Sequence, residues 1–284
     1  MSGYECSRFA ILDIVNTSKP AVFASAKKDW RFQPEKFGWR QSTRLLVLSI
    51  FSPLKGGETQ MSTQITKEIL CPGCGAPVST AMWPGISADE DPSLRERALG
   101  ETLFDWFCPE CGYSARFLYP CLYSDRTHGF MVYLLPEGSP QEPVELGDEL
   151  ASLADVKKRI VSTGLELREK ILIFEKNLDD RAVELVKYAI ADVLQAQTGA
   201  KILEGYFRMV DHEQNRIGFS YLLENTDRLL HRTTSLEVYD KSLEVARSFA
   251  PADSSGFFRM GSAEAANCMK AYTSAPRESE SEKA

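Results

Sequence analysis

The sequence predicts an α+β chain: a ribbon of short strands with a helix inserted in it, followed by a mixed α+β domain. Three observations carry that expectation. A Cys-Pro-x-Cys-Gly pattern occurs twice in strand-like surroundings, at Cys71-Pro72-Gly73-Cys74-Gly75 and at Cys108-Pro109-Glu110-Cys111-Gly112. The 33 residues between Cys74 and Cys108 hold helix signals. Beyond Leu150, apolar residues recur first at helical spacing and then at alternate positions.

Taken in order, residues 1–60 do not belong with the rest. They hold nine Lys+Arg against five Asp+Glu, whereas the remaining residues hold 24 against 35. Trp30, Phe32, Phe37 and Trp39 fall at irregular intervals among charges. The stretch Leu45 to Phe51 is like a signal h-region but has no small-residue cleavage site after it. Lys55-Gly56-Gly57-Glu58 reads as an in-frame translation of a purine-rich ribosome-binding site, so Met61 is expected to be the true start. A disordered basic arm is the alternative.

Residues 61–135 are expected to form the ribbon. Val78 to Thr80 and Ser114 to Leu118 are strand-like, one after each knuckle. Between them Asp91 can cap a helix with Pro92 at its first position, Leu94 and Ala98 one turn apart, and Gly100 at its end. Four prolines and glycines, Pro136, Gly138, Pro140 and Pro143, then make residues 136–149 a linker. An α+β domain is expected over 150–262. Arg159-Ile160-Val161 suits a short strand, and Leu167, Ile171 and Phe174 share a helix face. Asp179 or Asp180 can cap a second helix carrying Val186, Ile190 and Val193. Leu203, Phe207 and Met209, then Ile217, Phe219 and Tyr221, keep two-residue spacing around a polar turn, Asp211 to Asn215. A last helix runs from Leu236 to Phe249 with Tyr239, Leu243 and Ala246 inward. Residues 263–284 read as a disordered tail.

Composition excludes several classes. No apolar run approaches the ~18 residues that cross a bilayer. With 33 Lys+Arg against 40 Asp+Glu, the chain is poorly suited to coat phosphate backbones. Seven cysteines without a secretory leader do not suit a disulfide scaffold.

The doubled knuckle is the chemical signal. Two residues between cysteines let both thiolates turn toward one ion, and the following glycine takes positive φ at no steric cost. Four soft thiolates in a tetrahedral set favour zinc, with iron as the runner-up. Rubredoxins hold iron between two such knuckles separated by a short aromatic loop; the helix-containing insertion here favours zinc. The expected ligands are therefore Cys71, Cys74, Cys108 and Cys111, one structural ion per chain. A thioredoxin-type reading needs Cys-x-x-Cys at a helix N-terminus, whereas Gly and strand residues follow each pair here.

Residues from about Ile65 to Leu135 resemble the CpXC domain, a bacterial and archaeal family named for its two knuckles. The resemblance includes Trp83 with Ile86, Asp91-Pro92, Leu103-Phe104, Tyr119-Pro120 and Leu122-Tyr123. It continues through Glu169-Lys170-Ile171 and Asp179-Asp180-Arg181, which would cover most of 65–250. Because that family is functionally uncharacterised, the resemblance implies a fold and a metal site but no activity. Cys121 falls where an apolar or aromatic residue is expected and reads as a free thiol.

The remaining candidates are bland. His128, His212 and His231 are scattered, the first two in turns; Asp179, Asp180 and Glu184 are explained by helix capping. Cys6 lies in the doubtful leader and Cys268 near the polar tail. No nucleophile elbow, P-loop, His-Glu-x-x-His or dinucleotide fingerprint occurs. No catalytic or cofactor-binding residue is therefore assigned. The leading expectation is a cytoplasmic interaction module, binding a protein partner or its own kind, with neither nucleic acid nor membrane. Alternatives are a nucleic-acid-binding ribbon, an enzyme with its site in the second domain, and a redox-switched zinc protein.

Overall fold

A computed structural model describes residues 29–30, 62–139, 155–224, 229–253 and 256–275. The rest of the 1–60 leader, Met61, most of the 136–149 linker and residues 276–284 lie outside the described residues. The described residues divide into two compact units, one of those up to Asn177 with 253 and 256–259, the other of those from Leu178 to Ala252 with 260–275.

The first unit holds strands β1 (Asp29–Trp30), β2 (Thr63–Leu70) and β3 (Pro77–Ser87), helix α1 (Pro92–Leu99), strands β4 (Asp105–Phe107), β5 (Ser114–Phe117), β6 (Cys121–Asp125), β7 (Phe130–Leu134) and β8 (Lys157–Val161), and helix α2 (Gly164–Glu175). Five strands form a mixed sheet in the order β2-β3-β6-β7-β8, and β1-β5-β4 form a small second sheet. β2 and β3 are an antiparallel hairpin, as are β4 and β5, and each hairpin turns at one cysteine knuckle. The inserted helix is as expected: Asp91 Oδ1 accepts from the Leu94 N–H at 3.3 Å, Pro92 opens α1, and Gly100 follows its last residue.

The central strands β6 and β7 are buried along their whole length. Phe130 of β7 packs on Phe174 of α2, ring centroids 5.0 Å apart, and Leu167, Ile171, Ile173 and Phe174 line the face that α2 turns inward. Arg95 of α1 grips Glu175 of α2 with two bonds of 2.6 Å.

This arrangement corrects the expected domain boundary. β8 lies beyond the Pro-rich stretch yet pairs parallel with β7, from Phe130↔Lys157 to Leu134↔Val161. Parallel neighbours need a connection of about a dozen residues or more, so the stretch serves as a crossover and not as a border. Residues 155–177 thus belong with the knuckles, and the division falls between Asn177 and Leu178. Asp253–Arg259 also belong there. The Ile160 N–H donates to the Phe258 carbonyl at 2.9 Å, and the fully buried Arg159 pairs with Asp253 at 2.7 Å under the Phe258 ring.

The second unit holds α3 (Asp180–Thr198), β9 (Ile202–Asp211), β10 (Arg216–Leu223), β11 (Leu229–Ser235), α4 (Leu236–Phe249) and α5 (Ser262–Ser274). The strands form an antiparallel meander, with β10 central. Asp179 caps α3 and Gly199 ends it at φ +67°. Val186 and Ile190 of α3, Phe207, Ile217, Phe219 and Tyr221 of the sheet, and Val238 and Ala246 of α4 are buried. The Tyr221 ring lies so close to Gly205 that a Cβ there would sit 2.7 Å from it, and its hydroxyl donates to the Lys187 carbonyl.

Two sequence expectations fail here. Residues 263–284 were expected as a disordered tail, but Ser262–Ser274 are helical, with Ala265 and Cys268 buried and the Glu264 carboxylate accepting from the Gly261 N–H at 2.9 Å. Small residues on one face let this helix pack, although its overall polarity conceals it. In β9, Leu203 and Met209 are exposed although Phe207 is buried. Register shifts at Leu222/Leu223 and Gly218/Phe219 insert one extra residue each, so strict alternation is lost. No helix among the described residues is long and apolar enough to cross a membrane.

Candidate metal centre

Each knuckle is built by the same backbone hydrogen bonds. The Cys71 N–H donates to the Ala76 carbonyl at 2.8 Å, and the Gly75 N–H donates to the Cys71 carbonyl at 2.8 Å. At the second knuckle the Cys108 N–H donates to Tyr113 at 2.8 Å and the Gly112 N–H to Cys108 at 3.0 Å. Gly75 and Gly112 both take φ +74°, a conformation that costs an L side chain about 1–2 kcal/mol. The sequence thus specifies the same turn twice.

The two turns bring all four expected sulfurs together, within 4.8 Å of one another. Cys71 Sγ lies 3.6 Å from Cys111 Sγ, and Cys74 Sγ lies 3.8 Å from Cys108 Sγ. A tetrahedron with metal–sulfur bonds of about 2.3 Å has edges of about 3.8 Å. A disulfide needs about 2.05 Å, so the spacing suits an ion and not a bridge. Cys71 and Cys108 are buried beside Val78 and are flanked by Trp106 and Tyr113; Cys74 and Cys111 are exposed.

The electrostatics of the sulfurs agree with this. Burial pushes the Cys71 thiol up, but N–H groups of Cys74 and Gly73 aimed at its sulfur outweigh that and bring it to about 7. At Cys111 the Tyr113 N–H acts downward, yet burial and the three neighbouring sulfurs raise the thiol to about 12. One thiolate therefore forms readily and disfavours the next. A bound dication reverses that order, because each further thiolate then meets positive charge. Four protein sulfurs fill a tetrahedral ion, leaving no position for water or substrate.

Some supports were not visible in the pattern. Gly73 occupies the variable place of the first knuckle, but a Cβ there would lie 3.1 Å from Tyr113 Cβ, so its small size admits the tyrosine of the other knuckle. Trp106 Nε1 donates to Thr80 Oγ1 at 2.9 Å, tying the second hairpin to the first. The signal available was an indole two residues before Cys108, whose partner only the fold identifies.

The weaker candidates are placed elsewhere. His128 sits in the β6–β7 turn with Nδ1 2.8 Å from Asp125 Oδ2, and His212 lies exposed in the β9–β10 turn. His231 Nδ1 lies 2.7 Å from Ser220 Oγ, and burial with the nearby Arg208 charge holds the imidazole below its usual range. Asp179 caps α3, Asp180 is buried in its first turn, and Glu184 pairs with Lys187 at 3.0 Å. Cys121 is fully buried in β6, where burial pushes its thiol up, and Cys268 is buried in α5; Cys6 lies outside the described residues. None of the described ones joins the four-sulfur cluster.

No curated protein and no solved structure matches the chain. The family model described as CpXC protein matches residues 69–187, which takes in both knuckles, the β6–β8 core, α2 and the first turns of α3. The match takes in Glu169-Lys170-Ile171 and Asp179-Asp180-Arg181, as the resemblance implied, and stops at residue 187, so most of the second unit lies outside it. Residues 69–187, with the paired Cys-Pro-x-Cys turns at one end, are a CpXC family domain.

Proposed function

We propose that Cys71, Cys74, Cys108 and Cys111 hold one structural zinc ion per chain, and that the domain so fixed is a cytoplasmic protein-binding module. The observation that carries the reading is the convergence of two like-built knuckles on four sulfurs at tetrahedral spacing. Zinc supplies a staple there: it ties hairpin β2–β3 to hairpin β4–β5, whose own shared core is small. A closed sulfur set gives no site for hydrolysis, which leaves the surface as the working part. Elemental analysis of the natively expressed protein tests the metal. One zinc per chain is expected, and a red protein with stoichiometric iron overturns zinc in favour of its runner-up.

A further inference from the structure

We infer that the two hairpin ends flanking the four-sulfur centre form a docking face for a cationic protein segment carrying an apolar anchor. This rests on the interaction-module reading and names its partner. Among the described residues, the two most exposed large hydrophobic side chains are Leu70, 64% exposed, and Phe107, 61% exposed. Each immediately precedes the first cysteine of a knuckle, and the side chains of those two cysteines pack together in one buried cluster. Neither apolar side chain is explained by the metal site, because strand alternation turns each of them away from the buried cysteine beside it. Leu70 stands opposite Pro77, and Phe107 opposite Ser114, so both hairpins end in an apolar or uncharged rung. Two large side chains held in water beside a rigid centre are the usual material of a binding hot spot.

Charge selects the occupant. The knuckles themselves, residues 71–75 and 108–112, hold no Lys, Arg or His; Asp105, three residues before Cys108, is paired with Arg116, which leaves Glu68 and Glu110 as the acidic side chains beside the two apolar ones. Glu68 lies two residues from Leu70 on the same strand face, and Glu110 adjoins Cys111; both are exposed. A dication held by four thiolates adds a net charge of about −2 at the exposed sulfurs. Nothing in either knuckle offsets that charge. A second copy of the chain, brought up by this face, would oppose like charges, and a phosphate backbone or anionic bilayer would be repelled. A segment with Lys or Arg around an aliphatic or aromatic residue satisfies both the apolar pair and the field.

The test uses the full-length protein labelled with nitrogen-15. The probes are a Lys-Leu-Lys-Phe-Lys-Gly peptide, its Glu-for-Lys and Ser-for-apolar counterparts, and a twelve-nucleotide single-stranded DNA. The basic-apolar peptide should shift the Leu70, Phe107, Gly75 and Gly112 amides saturably, more weakly at high salt, and the other three probes should not. The double variant Leu70→Ser, Phe107→Ser should keep its metal content and its amide spectrum elsewhere, and lose at least about tenfold in affinity. Equal binding by the double variant, equal binding of the acidic peptide, or DNA binding at these amides overturns the face. So does a dimer that the double variant abolishes, since a second copy would then be the occupant. Full zinc content without peptide binding refutes this inference alone; peptide binding at these amides without any metal refutes the zinc reading and leaves the face standing.

Discussion

The cost of the centre is concentrated in single residues. Gly75 and Gly112 share φ +74° with open space where a Cβ would go, so alanine there meets backbone strain and no clash. Gly75→Ala and Gly112→Ala should each lower stability by about 1–2 kcal/mol, and by similar amounts, in urea titrations of the metal-loaded protein. Gly73→Ala differs in kind, because its methyl meets Tyr113 and not a φ limit. Cys121 tests the ligand assignment. It is buried in β6 and lies outside the sulfur cluster, so Cys121→Ser should leave metal content unchanged. The variant should still lose about 1–3 kcal/mol, since a hydroxyl is then buried in an apolar strand. Loss of metal on that substitution would show that Cys121 reaches the centre.

At the scale of elements, turns and helices are joined by a few polar clamps. Asp89, in the β3–α1 turn, accepts from the Arg126 N–H at 2.8 Å, the Thr127 N–H at 3.1 Å and the Thr127 hydroxyl at 2.6 Å. Burial raises its carboxyl somewhat, but those donors outweigh it and hold Asp89 below the usual carboxylate range. A depressed acid stabilises the fold above its unfolded pKa, and that contribution fades as pH falls through the folded value. Asp89→Asn should therefore be less stable than the parent at pH 7, and the gap should close as pH drops below about 4. A gap that persists unchanged in acid would mean that shape, not charge, sets the clamp. The Arg95–Glu175 fork joins α1 to α2 in the same way, with the carboxylate side chain only 11% exposed. Arg95→Ala should cost about 1–2 kcal/mol, because it leaves that carboxylate without its cation. A double-mutant cycle with Glu175→Ala should recover most of the loss as coupling energy.

For the whole molecule, the units and the metal answer to different parts of the chain. At the knuckles the hairpins share a small core of Cys71, Val78 and Cys108 with Trp106 and Tyr113, whereas β6, β7, β8 and α2 are buried among large apolar side chains. Among the described residues, the second unit has three helices and a meander of its own and contributes no sulfur to the cluster. A strong chelator should therefore raise hydrogen exchange in residues 63–85 and 105–117. Residues 180–223 and 236–249 should stay protected, and most far-UV helical signal should survive. Equal loss of protection across both units would mean that metal binding and the whole fold are one cooperative event.

How much was legible follows from the range of the forces involved. The four sulfurs, the two glycine turns, the Asp91-Pro92 helix, the helix start at Asp179 or Asp180 and the helix Leu236–Phe249 were readable, because each is specified by neighbours within a turn or two of chain. Two knuckles of one pattern also imply one shared ion without any knowledge of the path between them. The tertiary structure alone decided that β8 pairs with β7 across a Pro-rich crossover, and that Asp253–Arg259 return to the first unit. It also turned Ser262–Ser274 into a packed helix, and seated Tyr113 on Gly73 and Trp106 on Thr80. These choices depend on which distant surface is free to bury an apolar edge or satisfy a donor. Local spacing carries no record of that, because the partner lies tens of residues away and is selected only when the sheets close.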